Sequence, residues 1–224
     1  LSVTADSPDT LAGYAATFGA DKPLTVLIEC DSGGGRCGVQ TSAQALALAR
    51  QIALAPGLRF GGLMTYPPLH GVERSNAWLS QAVALFQQAG IAVPRVSSGN
   101  SPDMWAPASA PVTERRPGTY IYNDRSLVAR GACGWEDCAL TVLATVVSVP
   151  AENRAIIDAG SKTLTSDLLG LTGYGHVLGR DDISIDQLSE EHGRLVSSGP
   201  INLKVGDRLQ IVPNHADRKS TRLN

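Results

Sequence analysis

Residues 24–30 read Leu-Thr-Val-Leu-Ile-Glu-Cys, and no other stretch restricts the fold of the chain more. A strand so nearly apolar throughout has no side to turn to water. It belongs in a sheet covered on both faces, the environment of parallel β/α folds. The surrounding sequence agrees. Residues 1–5 alternate as a strand, and Ser7 or Asp9 can cap a helix to about Phe18. After the apolar run Gly33, Gly34 and Gly35 turn the chain, Thr41 or Ser42 caps an Ala/Leu-rich helix to Leu54, and Pro56 and Gly57 end it. A strand over 60–66, a helix from about Glu73 to Ala89 closed by Gly90, and a strand over 93–97 continue the pattern. This spacing predicts right-handed βαβ units on a parallel sheet, about half of an eight-fold β/α barrel. The chain opens without Met on a strand already under way, so the other barrel strands are expected upstream.

Past residues 107–111 the texture changes. Segments 119–122, 139–149, 154–158, 195–196 and 208–212 are short, β-prone and separated by Gly, Pro and Asp, which predicts a mostly antiparallel β domain. The expected organisation is a partial β/α barrel over 1–110, a β domain over 111–216, and a tail over 217–224. One coding of that tail reads through a common sequencing adapter, so it is expected to be non-native. The chain carries 19 basic and 21 acidic residues, no run of like charge and 5% aromatics, which argues against nucleic acid as a partner. Its longest apolar stretch, 139–149, is too short to cross a bilayer, so no membrane span is expected. Cys30, Cys37, Cys133 and Cys138 lack C-x-x-C spacing, and no secretory signal precedes them. They read as buried thiols of a cytoplasmic protein rather than as disulfides or a zinc site.

Parallel β/α barrels carry their chemistry at the C-terminal ends of the strands. Asp31 and Arg36 follow the first apolar run, Tyr66 and then His70 follow the next strand, and Ser98, Gly99, Asn100 and Ser101 follow the last. That final small-residue turn can cradle a phosphate with hydroxyls and main-chain N–H groups. Near the end, Asn214-His215-Ala216-Asp217 sets an imidazole and a carboxylate two residues apart in an extended segment, on one side, as two ligands of one metal would be. Each feature also has a plainer reading: a structural turn, an ion-paired arginine, a core tyrosine, a solvated histidine. His192, within Ser189-Glu190-Glu191-His192-Gly193, is either a further ligand or part of a turn, and His176 has no partner nameable from sequence.

Taken together, these segments resemble the D-threonine aldolase and D-serine dehydratase family. The likeness runs nearly end to end and rests on six segments in the family's order. They are 29–39 around Asp31 and Arg36, 56–66 from Pro56-Gly57 to Thr65-Tyr66, 113–124 from Thr113-Glu114 to Asn123-Asp124, Asp158-Ala159-Gly160-Ser161-Lys162, the segment around His192, and Val212-Pro213-Asn214-His215. The wording of 138–148 and 159–171 is nearer the aldolase branch.

The resemblance implies pyridoxal 5'-phosphate on an alanine-racemase-like barrel followed by a β domain. It implies Arg36 against the cofactor ring, Tyr66 beside ring or substrate, Ser98, Gly99, Asn100 and Ser101 at the phosphate with Tyr120 joining them, and His215 and Asp217 on a divalent metal. A carboxylate at 217 favours manganese or magnesium, whereas a cysteine in that place suits zinc. The implied reaction cleaves D-threonine or another D-3-hydroxy amino acid to glycine and an aldehyde, in a homodimer. Dehydration of D-serine to pyruvate and ammonia, or non-catalytic cofactor binding, are the alternatives. The sequence departs from the family in one respect that bears on chemistry. The lysine that forms an imine with the cofactor belongs on the first barrel strand, and Lys22, Lys162, Lys204 and Lys219 hold no such position, so residues 1–224 alone are expected to be inactive. Asn100 also stands where relatives often carry Gly.

Overall fold

The computed structural model describes residues 1–107 and 109–217. The expected non-native tail therefore lies, apart from Asp217, outside the described residues. The chain divides into two units, Leu1–Pro117 and Gly118–Asn224.

In the first unit β1 (Ser2–Ala5), β2 (Leu24–Glu29), β3 (Leu58–Met64), β4 (Val96–Ser98) and β5 (Glu114–Arg115) pair in chain order, all parallel. The connections are α1 (Pro8–Thr17), α2 (Ser42–Leu54) and α3 (Val72–Gln88). Ser7 caps α1 through the N–H of Thr10, and Thr41 caps α2 in a reciprocal pair with Gln44, so both helices start where the sequence places them. Val26 and Ile28 are fully buried, and α2 and α3 contribute Ala45, Ile52, Leu79 and Phe86 to the same core. β3 begins two residues earlier than expected and absorbs an extra residue between Phe60 and Gly62. Gly62 sits at φ +125°, where a Cβ would run into the carbonyl of Arg95. The strand expected over 93–97 is confined to Val96–Ser98, because Pro94 has no N–H to give a ladder. β5 has no apolar signature. It is set by the Thr113 N–H on the Val96 carbonyl (2.9 Å) and belongs to the first unit, which runs to Pro117.

In the second unit β6 (Val142–Ala151), β7 (Arg154–Ile157), β8 (Gly175–Val177), β9 (Ile183–Leu188), β10 (Gly193–Ser197) and β11 (Arg208–Pro213) form an antiparallel sheet in the order β8-β11-β6-β7-β10-β9. The Tyr174 N–H beside β8 donates to the Ile185 carbonyl in β9 (3.0 Å), drawing the two edge strands together. Val146, Ile157, Ile185, Leu195 and Ile211 fill the interior. The strand expected over 119–122 is instead a single 3₁₀ turn at Thr119–Ile121. Tyr120, Ile121 and Tyr122 are all exposed there, so β-prone residue types had no sheet to enter, and the turn delivers the chain to Asp124, the N-cap of α4 (Arg125–Val128). β8 and β9 were not expected. β8 is three residues long, and β9 alternates Ile183 and Ile185 with Ser184 and Asp186 too briefly to stand out. No helix among the described residues is long and apolar enough to cross a membrane.

Candidate functional site

The loop after β2 is folded by one carboxylate. Asp31 Oδ1 accepts the N–H groups of Gly33 (2.8 Å), Gly34 (2.7 Å) and Gly35 (3.2 Å), and these bonds, Gly33's first, hold its carboxyl below the ordinary range. Gly38 closes the loop at φ +115°, with its N–H on Asp6 (2.9 Å). The loop presents Arg36, whose guanidinium lies 5.1 Å from the centre of the Tyr66 ring and 3.8 Å from Glu29. Cys37 Sγ donates to the same Glu29 oxygen (3.0 Å). A cavity of about 190 Å³ opens among Glu29, Asp31, Gly34, Arg36, Tyr66 and Pro68. Beneath it the buried Ser32 hydroxyl bonds those of Thr65 and Ser75 (2.8 Å each), while Thr65 donates to the Cys30 carbonyl (2.7 Å), tying the ends of β2 and β3 to α3.

The turn after β4 stands on the next strand of the same sheet. Ser98, Asn100 and Ser101 are buried. The Asn100 amide is spent on the Pro67 carbonyl (3.2 Å) and Asp103 (3.0 Å), so what it can offer a ligand is its main chain. Gly99 sits at φ +117°, a conformation that L side chains rarely adopt. A cavity of about 20 Å³ behind the turn has room for roughly one water. Hydroxyls, main-chain N–H groups and a glycine in the left-handed region, with no carboxylate within 98–101, suit a phosphate. Arg116, which sequence reasoning passed over, donates to Ser97 Oγ (2.8 Å) and to the Thr65 carbonyl (2.6 Å), so it braces the strand ends that carry Tyr66 and this turn. Its only signal was its place in the 113–124 segment.

In the second unit His215 follows β11. Its Nδ1 lies 3.1 Å from Oδ2 of Asp124, a carboxylate with no exposed surface. Asp124 Oδ2 also accepts the Ala216 N–H (3.0 Å), and Oδ1 accepts Ser126 Oγ (2.7 Å) and the Leu127 N–H (3.1 Å). Burial raises the Asp124 carboxyl, but the bonds from His215, Ser126, Ala216 and Leu127 outweigh it and leave it below its usual value. The bond to Asp124 correspondingly raises His215, against its own burial. Nδ1 engaged by a carboxylate leaves Nε2 as the ligand atom, the orientation of metal-binding histidines. Asn214 locks the approach: its amide donates to the carbonyls of Gly173 (2.8 Å) and Asp167 (3.2 Å) and accepts from Arg125 (2.9 Å). Asp124 was quoted in sequence only as the end of a motif, and its partner lies about ninety positions away, so no local pattern marks it.

Asp217 is exposed at the edge of the described residues, and its charge acts on His215 in the same direction as Asp124. Among the described residues no group of three His, Cys, Asp or Glu is set to hold a metal, so His215 and Asp217 could furnish only part of a coordination shell. Tyr120 is half-exposed on the 3₁₀ turn of the second unit. Lys162 pairs with Glu191 (2.6 Å) and Glu190 (3.3 Å) at the surface, Lys22 and Lys204 lie off the strand ends, and Lys219 is outside the described residues. The fit to pyridoxal phosphate thus extends to ring and phosphate contacts but not to the imine-forming amine. Of the other three histidines, His70 is exposed with Nδ1 3.8 Å from Asp103, and the remaining two are placed by their surroundings. His192 lies in the turn joining β9 and β10, its carbonyl taking the Ser189 N–H (2.9 Å), and His176 stacks on Trp135 at 3.9 Å.

A family model described as "Alanine racemase, N-terminal domain" matches residues 1–126, and one described as "Putative serine dehydratase domain" matches 139–221. The chain belongs to the D-threonine aldolase and D-serine dehydratase family. Within that family, a D-threonine aldolase from Arthrobacter sp. is 33% identical over 97% of this chain and 60% of its own length. A 3-hydroxy-D-aspartate aldolase from Paracoccus denitrificans is 31% identical over 87% of this chain and 54% of its own length. The solved D-threo-3-hydroxyaspartate dehydratase from Delftia sp. superposes with a TM-score of 0.83 at 31% identity, covering 96% of this chain and 65% of its own, and a cysteine-to-alanine variant of it is described in a metal-free form. The chain spans little more than half the length of the two aldolases.

Proposed function

We propose that the whole protein is a pyridoxal phosphate- and divalent-metal-dependent lyase, splitting D-threonine or a related D-3-hydroxy amino acid into glycine and an aldehyde. The observation that carries this reading is the His215–Asp124 pair, an imidazole oriented by a buried carboxylate two residues before a second carboxylate, Asp217. The names of the Arthrobacter and Paracoccus relatives support it. When bound, the cofactor supplies an electron sink and the metal a Lewis acid for the substrate's β-hydroxyl.

In this reading Arg36 and Tyr66, already in contact, flank the cofactor ring. Ser98, Gly99, Asn100 and Ser101 hold the phosphate through hydroxyls and main-chain N–H groups. His215 binds the ion through Nε2, with Asp217 as the second protein ligand and the remaining positions left to water and substrate. The hard carboxylate favours manganese or magnesium over zinc. The reading also requires a lysine from outside residues 1–224, and it takes the protein to be a cytoplasmic homodimer.

The test is to incubate the whole protein with D-threonine and Mn²⁺ and assay acetaldehyde against 2-oxobutanoate. Acetaldehyde with equimolar glycine supports the aldolase. Oxo acid alone replaces it with a dehydratase, the reading that the Delftia relative favours. A protein that binds no yellow cofactor sinks both.

A further inference from the structure

The side chain of Asn100 is 3% exposed and points away from any ligand of the turn that carries it, so it has another use. Its Nδ2 has two hydrogens and both are placed, one on the Pro67 carbonyl (3.2 Å) and one on Asp103 Oδ2 (3.0 Å), while Oδ1 accepts the Asp103 N–H (2.8 Å). Exchanging the two amide atoms would set the oxygen against a carbonyl and a carboxylate, and the nitrogen against an N–H. The partners themselves therefore fix its orientation. Nor does the backbone call for asparagine here, because the left-handed residue of the turn is Gly99, not Asn100. What position 100 supplies is the amide.

That amide reaches a segment with few donors of its own. Pro67 and Pro68 follow Tyr66 directly and have no N–H, so the chain there is anchored through its carbonyls. On one side of Tyr66, Arg116 donates to the Thr65 carbonyl (2.6 Å); on the other, Asn100 donates to that of Pro67. Further along, the Gly71 N–H turns back on the Pro68 carbonyl (2.9 Å), and His70, at φ +56°, brings Nδ1 to 3.8 Å from the second oxygen of Asp103. Asn100 and Asp103 thus face the Tyr66 loop together, and Asp103 is itself held by two bonds to Asn100.

We propose that Asn100 is a positioning residue, a latch between the turn after β4 and the loop after β3, through which a phosphate group seated on the turn holds Tyr66 in place. The inference rests on the reading of residues 98–101 as a phosphate site. An anion that draws in the main-chain N–H groups of the turn restricts the backbone of Asn100, and its side chain passes that restriction to Pro67, one residue beyond Tyr66. The coupling is reciprocal: a ring that engages Tyr66 tightens the turn on its phosphate.

The test follows amide hydrogen exchange of the whole protein with and without saturating inorganic phosphate, in residues 98–104 of the turn and 69–73 of the loop. In the wild-type protein phosphate slows both, the loop by about fivefold, the effect of one hydrogen bond passed on. In Asn100→Ala, which keeps every main-chain N–H of the turn, phosphate slows 98–104 alone. A merely structural Asn100 would loosen the loop equally with and without phosphate, so persistence of the phosphate effect at 69–73 in the variant overturns the latch. Slowing confined to the turn in the wild-type protein overturns it without any variant, and leaves the phosphate site standing. Loss of the effect at both segments in Asn100→Ala makes the side chain part of phosphate binding itself and overturns the latch as well. No slowing of either segment in the wild-type protein overturns the phosphate reading, and the latch with it.

Discussion

Arg36 in the first unit leaves two-thirds of its side chain in solvent and touches a carboxylate only at 3.8 Å, whereas His215 in the second is largely covered and grips a carboxylate with no exposed surface at all. The two arrangements place their cost differently. Around Arg36 the backbone is held tightly, by Asp31 on three consecutive N–H groups and by glycines in the left-handed region, and the Arg36 side chain rests on a neighbouring ring. Around His215 the side chain itself is fixed, by a buried charge whose desolvation is offset only because four donors converge on it. Part of such a network cannot be removed cheaply, whereas a solvated guanidinium can.

The largest effect should therefore come from Asp124. Asp124→Ala strands the donors of His215, Ser126, Leu127 and Ala216 and should lower the unfolding free energy by about 3 kcal/mol in urea titration, with Asp124→Asn losing less. A loss below about 1 kcal/mol would erase the contrast between the units. Next comes the backbone of the first unit. Gly38→Ala, at φ +115° with its Cβ 2.5 Å from the Asp31 nitrogen, should cost about 2 kcal/mol by the same titration. An unchanged midpoint would mean that the loop is free to relax and that neither unit is tightly held there.

Acid sensitivity sharpens the comparison further. Burial lowers the His176 imidazole from its ordinary 6.5, with Asp181 pulling the other way. The unfolded chain then binds the proton more readily, so this group's contribution is complete above 6.5 and is lost as pH falls through 6.5 towards the depressed folded value. Urea midpoints followed from neutral to mildly acidic pH should decline over that window, and His176→Asn should flatten the decline; an equal decline in the variant removes His176 as its source. The smallest effect belongs to Arg36→Ala, which should change stability by less than about 0.5 kcal/mol while weakening pyridoxal phosphate binding in an absorbance titration. A loss above about 1 kcal/mol would show that its contacts with Tyr66 and Glu29 support the fold.

Where fold or site was legible in the sequence, the signal was local. Ser7 and Thr41 cap the helices they were expected to start, and the apolar run became β2 because its residues can be buried on both faces. Arg36, Tyr66 and the Ser98 turn stand after strand ends, as the alternation of strands and helices placed them. The failures share an opposite cause. β5 is two charged residues held by a pairing partner, the 119–122 segment has strand-like residues but no neighbouring strand, and β9 is short and half polar.

By itself the amino-acid order determined the alternation of the first unit, its helix starts, the parallel sheet and the β character of the second unit, because periodicity and capping act within a few residues. Tertiary structure alone decided that Asp124 meets His215 and that Arg116 braces the ends of β3 and β4. Each of those contacts depends on where the backbone delivers a side chain in space, and the partner stands far along the chain or on another strand, where no local pattern reaches.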